Sequence, residues 1–122
     1  MLDYSPTRLT SYCSLRIERH LDTTTIWLTG EFDLACEKRF LEEVWSESSL
    51  SRFTETLVID LQGLRFIDST GLRLLLQIDA ASKKDGFDFV VLCGNGAVRR
   101  VFEVTGLESI LRVAEAPATE AA

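Results

Sequence analysis

The stretch LVIDLQGLRFIDSTGLRLLL, Leu57 to Leu76, decides the fold. Leu57, Val58, Ile59 and Leu61 form a nearly continuous apolar run, the pattern of a strand covered on both faces. Gly63 is expected to break that strand. After Phe66 and Ile67 come Asp68, Ser69, Thr70 and Gly71, then a leucine-rich segment through Leu72, Leu74, Leu75, Leu76 and Ile78. Side-chain oxygens just ahead of such a segment accept from the unpaired amides of a first helical turn. Two hydroxyls and a carboxylate are therefore expected at the positive end of a helix whose body lies in the core.

Working outward, residues 1–11 show no periodicity and read as a loose arm. Tyr12 to Arg19 alternates, with Cys13, Leu15 and Ile17 on one face, and Thr24 to Thr29 repeats the pattern with Ile26 and Leu28. His20 to Thr23 is the expected turn of an edge hairpin, which leaves the lone histidine solvated. Asp33 can cap a helix over about Leu34 to Ser46, with Leu34, Phe40, Leu41, Val44 and Trp45 as its apolar stripe and Glu37, Lys38, Glu42 and Glu43 in water. Ser48 to Phe53 is a polar connector.

On the other side, the leucine-rich helix should end near Lys83 and Lys84, and Asp85-Gly86 turns the chain into a strand over Phe87 to Cys93. Gly94-Asn95-Gly96 opens a third helix with Val98, Val101 and Phe102 inward and Arg99, Arg100 and Glu103 outward. Gly106 is placed as its left-handed stop, with Leu107 folding back on Phe102. Ile110 to Val113 is the last expected strand, and residues 114–122 read as a frayed tail. The order β-β-α-β-α-β-α-β implies an α/β domain with a mixed, mainly parallel sheet of about five strands and three to four helices.

Composition narrows the function. The 122 residues suffice for one domain, and a net charge of −6 argues against binding a phosphate backbone. Acidity fits either a basic protein partner or plain solubility. No apolar run approaches the roughly 20 residues of a membrane span, and the first residues lack the apolar core of a secretion signal. Cys13, Cys36 and Cys93 are odd in number and widely spaced, and Cys13 and Cys93 read as small buried hydrophobes of a reduced, cytoplasmic protein.

Three segments carry a family resemblance. DLQGLRFIDSTGLRLLL, residues 60–76, closely resembles the signature of the STAS family, the anti-sigma-factor antagonists and sulfate-transporter domains. Gly30-Glu31-Phe32-Asp33 is similar to its Gly-Glu-hydrophobic-Asp segment, and Ala97 to Leu107 to its third helix. The resemblance spans residues 12–113. It implies a five-strand α/β sandwich and, at Ser69, the phosphoacceptor of a partner kinase, with Thr70 as second choice. It also implies a partner-facing edge of Glu31, Asp33, Asp68, Ser69, Thr70, Gly71 and Arg73. By position alone Ser69 reads as a helix cap, and Asp33 can both cap and face a partner.

The function implied is that of an anti-sigma-factor antagonist. It would bind an anti-sigma factor or serine kinase of the histidine-kinase-like ATPase class, release a sigma factor, and be reset by a serine phosphatase. ATP and magnesium would belong to the kinase, with no cofactor, metal site, nucleic acid or membrane insertion of its own. The alternatives within the fold are an accessory subunit of a lipid-transporting ABC-type complex and a scaffold that is never phosphorylated. An enzyme is disfavoured. The chain has one histidine, no lysine after the last two expected strands to complete a phosphoaspartate receiver, and only Gly-Asn-Gly where a phosphate loop needs Lys and Ser/Thr as well. The sequence departs from the family at Gly96, where relatives often carry proline, and in a tail too short to promise the further helix with which such domains commonly end.

Overall fold

The computed structural model describes residues 13–43 and 55–114. The loose arm, the connector Ser48 to Phe53 and the tail beyond Ala114 lie outside these residues, as do Val44 and Trp45. Two strands, β1 (Cys13–His20) and β2 (Thr23–Phe32), lead into helix α1 (Leu34–Glu43). Then follow β3 (Thr56–Ile67), α2 (Ser69–Asp85), β4 (Asp88–Leu92), α3 (Ala97–Thr105), a 3-10 turn (Leu107–Ser109) and the short β5 (Val113–Ala114).

The five strands lie in chain order, β1 to β5, with the β1–β2 pair antiparallel and the other three pairs parallel. Each parallel connection advances one place in the same direction, so right-handed crossovers set all three helices on one face. Burial alternates accordingly. Ile26, Leu28, Phe32, Leu57, Ile59, Leu61, Phe89 and Val91 point into a single core with Phe40, Leu74, Leu75, Ile78 and Phe102. On the opposite face Thr25, Trp27, Val58 and Val90 are only half-buried, and the Arg16 guanidinium stacks 4.0 Å from the Trp27 ring centroid. The expected mixed, mainly parallel five-strand sheet is the one found.

Several expectations are corrected. His20 ends β1 and pairs with Thr23, so the turn is only Leu21-Asp22, with Leu21 at φ 56°. Gly63 does not break the central strand, because a Cβ there would sit 2.6 Å from Thr29 Cγ2; glycine is what lets β2 and β3 stay paired. Two register shifts in this pairing each insert one extra β3 residue, and β3 so continues to Ile67.

Two further corrections concern the last strand and the face of α1. The last strand is Val113–Ala114 rather than Ile110 to Val113, since the 3-10 turn consumes the preceding residues and leaves Ile110 exposed. On α1 the core-facing residues are Cys36 and Phe40, not Leu34 and Leu41, which are exposed. At about 100° per residue, Leu34 lies on the far side of the helix from Cys36. Gly106 is left-handed as expected (φ 79°), and its N–H donates to the Phe102 and Glu103 carbonyls.

Cys13 is also not an isolated small hydrophobe. It faces Cys36 on α1, with the two sulfurs in a disulfide and the Cα atoms 5.8 Å apart. Cys93 remains a buried free thiol whose pKa is raised, chiefly by that burial.

Candidate partner-binding edge at the helix tips

Parallel pairing brings Phe32 and Ile67 side by side at the ends of β2 and β3. The next residue on each chain, Asp33 and Asp68, is a helix cap. Asp33 Oδ1 accepts from the Cys36 N–H at 3.2 Å. Asp68 Oδ1 accepts from Thr70 N–H at 2.9 Å and Gly71 N–H at 3.2 Å. The Asp68 N–H in turn donates to the Phe32 carbonyl at 3.2 Å, which locks the two helix starts together. Two positive helix ends thus emerge on one sheet edge, beyond the carboxyl ends of the parallel strands.

Capping by Asp68 settles what Ser69 is not. Ser69 is the first helical residue, it is exposed, and its hydroxyl makes no hydrogen bond among the described residues. Thr70 is half-buried, and Gly71 is buried where a Cβ would lie 2.6 Å from Ile67 Cγ1 and 2.9 Å from Phe32 Cδ1. The tip of α2 can therefore sit this low on the sheet only with glycine at 71.

Charge at the edge is mixed. Glu31 pairs with Arg65 at 3.8 Å, and Arg73 reaches across to Glu37 of α1 at 3.7 Å. Glu37, expected in water, is largely buried by this contact, its side chain 12% exposed. Four carboxylates (Glu31, Asp33, Glu37, Asp68) against two guanidinium groups leave the edge acidic. All seven residues expected at the partner-facing edge fall on β2's end, the α1 cap or the first turns of α2.

Two residues escaped the sequence reading. Leu34 (67% exposed) directly follows the Asp33 cap, and Phe66 (50% exposed) stands beside Glu31 in the β2–β3 register. Large apolar side chains beside helix tips are contact material rather than core. For Leu34 the missed signal was its phase against Cys36; for Phe66 it was the bulge, which hides the inward–outward alternation. Among the described residues no group of three or more His, Cys, Asp or Glu side chains could hold a metal ion, and no helix is long and apolar enough to cross a membrane.

Sheet order, helix placement and paired caps define a small α/β domain whose one edge is built of helix tips. The STAS domain model matches residues 14–119, and the chain belongs to that family. The anti-sigma-F factor antagonist RsfA of Mycobacterium tuberculosis (strain CDC 1551 / Oshkosh) is 27% identical over 106 residues, 87% of this chain and 81% of RsfA. Among solved structures, an anti-sigma factor antagonist from Mycobacterium paratuberculosis superposes with a TM-score of 0.76 at 23% identity, covering 91% of this chain and 92% of that one. The phosphorylated form of the Bacillus cell fate determinant SpoIIAA superposes with a TM-score of 0.68 at 23% identity, covering 88% of this chain and 96% of its own. These structures share the fold.

Proposed function

We propose that this chain is a non-enzymatic, cytoplasmic anti-sigma-factor antagonist switched by phosphorylation at Ser69. Unphosphorylated, its acidic edge docks on an anti-sigma factor that is also a serine kinase of the histidine-kinase-like ATPase class, and a sigma factor is freed. Phosphorylated, it lets go, and a serine phosphatase resets it. The relatives named as antagonists support the class. The observation that carries the switch is Ser69 itself: an exposed hydroxyl at a helix start whose cap is already supplied by Asp68.

Such a hydroxyl is free to meet a partner's ATP. A phosphate there adds a charge of roughly −1.5 to −2, within reach of the helix end. The helix dipole favours it by about 0.3–1 kcal/mol, against repulsion from Asp68, so the domain itself changes little. In a complex that fits a hydroxyl, the same charge costs on the order of 2–5 kcal/mol, a loss of about 30- to several-thousand-fold in affinity. Leu34 and Phe66 supply the apolar contacts, and Glu31, Asp33 and Arg73 the polar rim. Incubation with the cognate kinase and ATP, followed by mass spectrometry, should place one phosphate on Ser69 and none on a Ser69→Ala variant. A phosphate elsewhere, or none, would contradict this.

A further inference from the structure

Cys13 and Cys36 join the first residue of β1 to the first turn of α1, across 23 positions of sequence. Their Cα separation of 5.8 Å is within the range in which a disulfide forms without moving the backbone. The bond lies immediately behind the partner-facing edge. The Cys36 N–H is the one that Asp33 caps, and Glu37, the next residue, holds Arg73 of α2. On the other side Arg39 Nη1 donates to the Cys13 carbonyl at 2.9 Å, putting a guanidinium beside the pair. Three contacts that help to fix the start of α1 therefore run through or next to these two cysteines.

We propose that Cys13 and Cys36 are a reversible redox couple that sets the rigidity of the α1 tip, a second control on the edge assigned above and resting on that reading for its consequence. In a reducing compartment a disulfide of this kind is a sensor rather than a permanent brace. The oxidant is a low-molecular-weight disulfide. The Cys13 thiolate attacks one of its sulfurs and expels a small thiolate, forming a mixed disulfide. The Cys36 thiolate then attacks Cys13 Sγ and expels the second. The protons given up by the two cysteines are taken up by the two thiols released, and two electrons pass from the protein to the oxidant. Oxidised, α1 is tied covalently to β1 and holds Asp33 and Glu37 in place; reduced, it keeps the Asp33 cap, the Glu37–Arg73 pair, the Arg39–Cys13 carbonyl hydrogen bond and the packing of Phe40.

The test needs no partner. Full-length protein is equilibrated with oxidised or reduced glutathione, then unfolded in iodoacetamide, digested without reductant and mapped by mass. The oxidised sample should carry a Cys13–Cys36 cross-linked peptide and one alkylated cysteine, Cys93; the reduced sample should carry three. Hydrogen exchange over residues 34–43 should quicken roughly tenfold or more on reduction, and the melting temperature should fall by about 10 °C. A Cys13→Ser variant should match the reduced protein and ignore the redox buffer. Three free thiols in both buffers, a bond to Cys93, or α1 exchange equal in the two states would overturn the proposal. None of these readouts involves Ser69, so either reading can fail without the other.

Discussion

Arg73 of α2 and Glu37 of α1 meet at 3.7 Å, and this pair is the side-chain link between the two helix tips that flank Ser69. Arg73 also lies one turn along α2 from Ser69, on the same face. A phosphoryl group at position 69 would compete with Glu37 for this guanidinium. Because Arg73 is 60% exposed, the pair adds little to stability. Arg73→Ala should cost less than about 1 kcal/mol in urea unfolding yet weaken partner binding measurably. A loss of several kcal/mol in stability would mean the pair braces the fold instead.

Asp68 satisfies two amides of the first turn of α2. Asp68→Ala should destabilise the domain by about 1–2 kcal/mol, and Asp68→Asn by much less, since the amide oxygen still accepts. Denaturant midpoints measure both. Equal losses for the two variants would show that the charge, and not the hydrogen bonds, matters.

Gly71→Ala sets two effects against each other. Alanine is the better helix former by about 1 kcal/mol. Its methyl, however, would meet Ile67 and Phe32 below 3 Å, and overpacking of this kind costs about 1–3 kcal/mol. The contact atoms belong to residues that anchor β2 and β3, so they cannot easily yield. A net destabilisation is expected, and a stabilised variant would show that the helix tip can lift off the sheet.

How much of this could be read beforehand follows from where periodicity was clean. The core strand, the α2 leucines and the Gly106 stop announced themselves through strong local patterns. The site was legible through one motif, Asp68-Ser69-Thr70-Gly71, but the division of labour in it was not. Either Asp68 or Ser69 can cap, and only the backbone placement assigns the cap to Asp68. Pattern failed where a residue answered to a neighbour far along the chain. Gly63 answers to Thr29 in the adjacent strand, Cys13 to Cys36, and Glu37 to Arg73. Leu34 reads as core by its hydrophobicity, while its phase against Cys36 turns it to the surface.

Phe66 and Leu34 are exposed, so truncating either should leave unfolding within about 0.5 kcal/mol of the parent. As apolar anchors of the proposed interface, each should cost more than about 1 kcal/mol in partner binding, roughly fivefold or more. Binding titrations beside thermal melts separate the two effects. Unchanged affinity in both variants would move the interface elsewhere on the surface.

Burial raises the pKa of the Cys93 thiol in the folded chain. The unfolded chain therefore ionises first as pH rises. This contribution to stability is fully present below the ordinary thiol range and is lost as pH climbs toward the raised folded value. Stability should decline above about pH 9 in the parent and decline less in Cys93→Ala, as read from urea midpoints between pH 7 and 10.

The most direct measurement compares the affinity of the purified anti-sigma partner for this protein with Ser69 free and with Ser69 phosphorylated, by calorimetry at fixed salt. A loss of at least about 30-fold on phosphorylation, with the melting temperature nearly unchanged, is the predicted result. Equal affinity for the two forms would contradict the account.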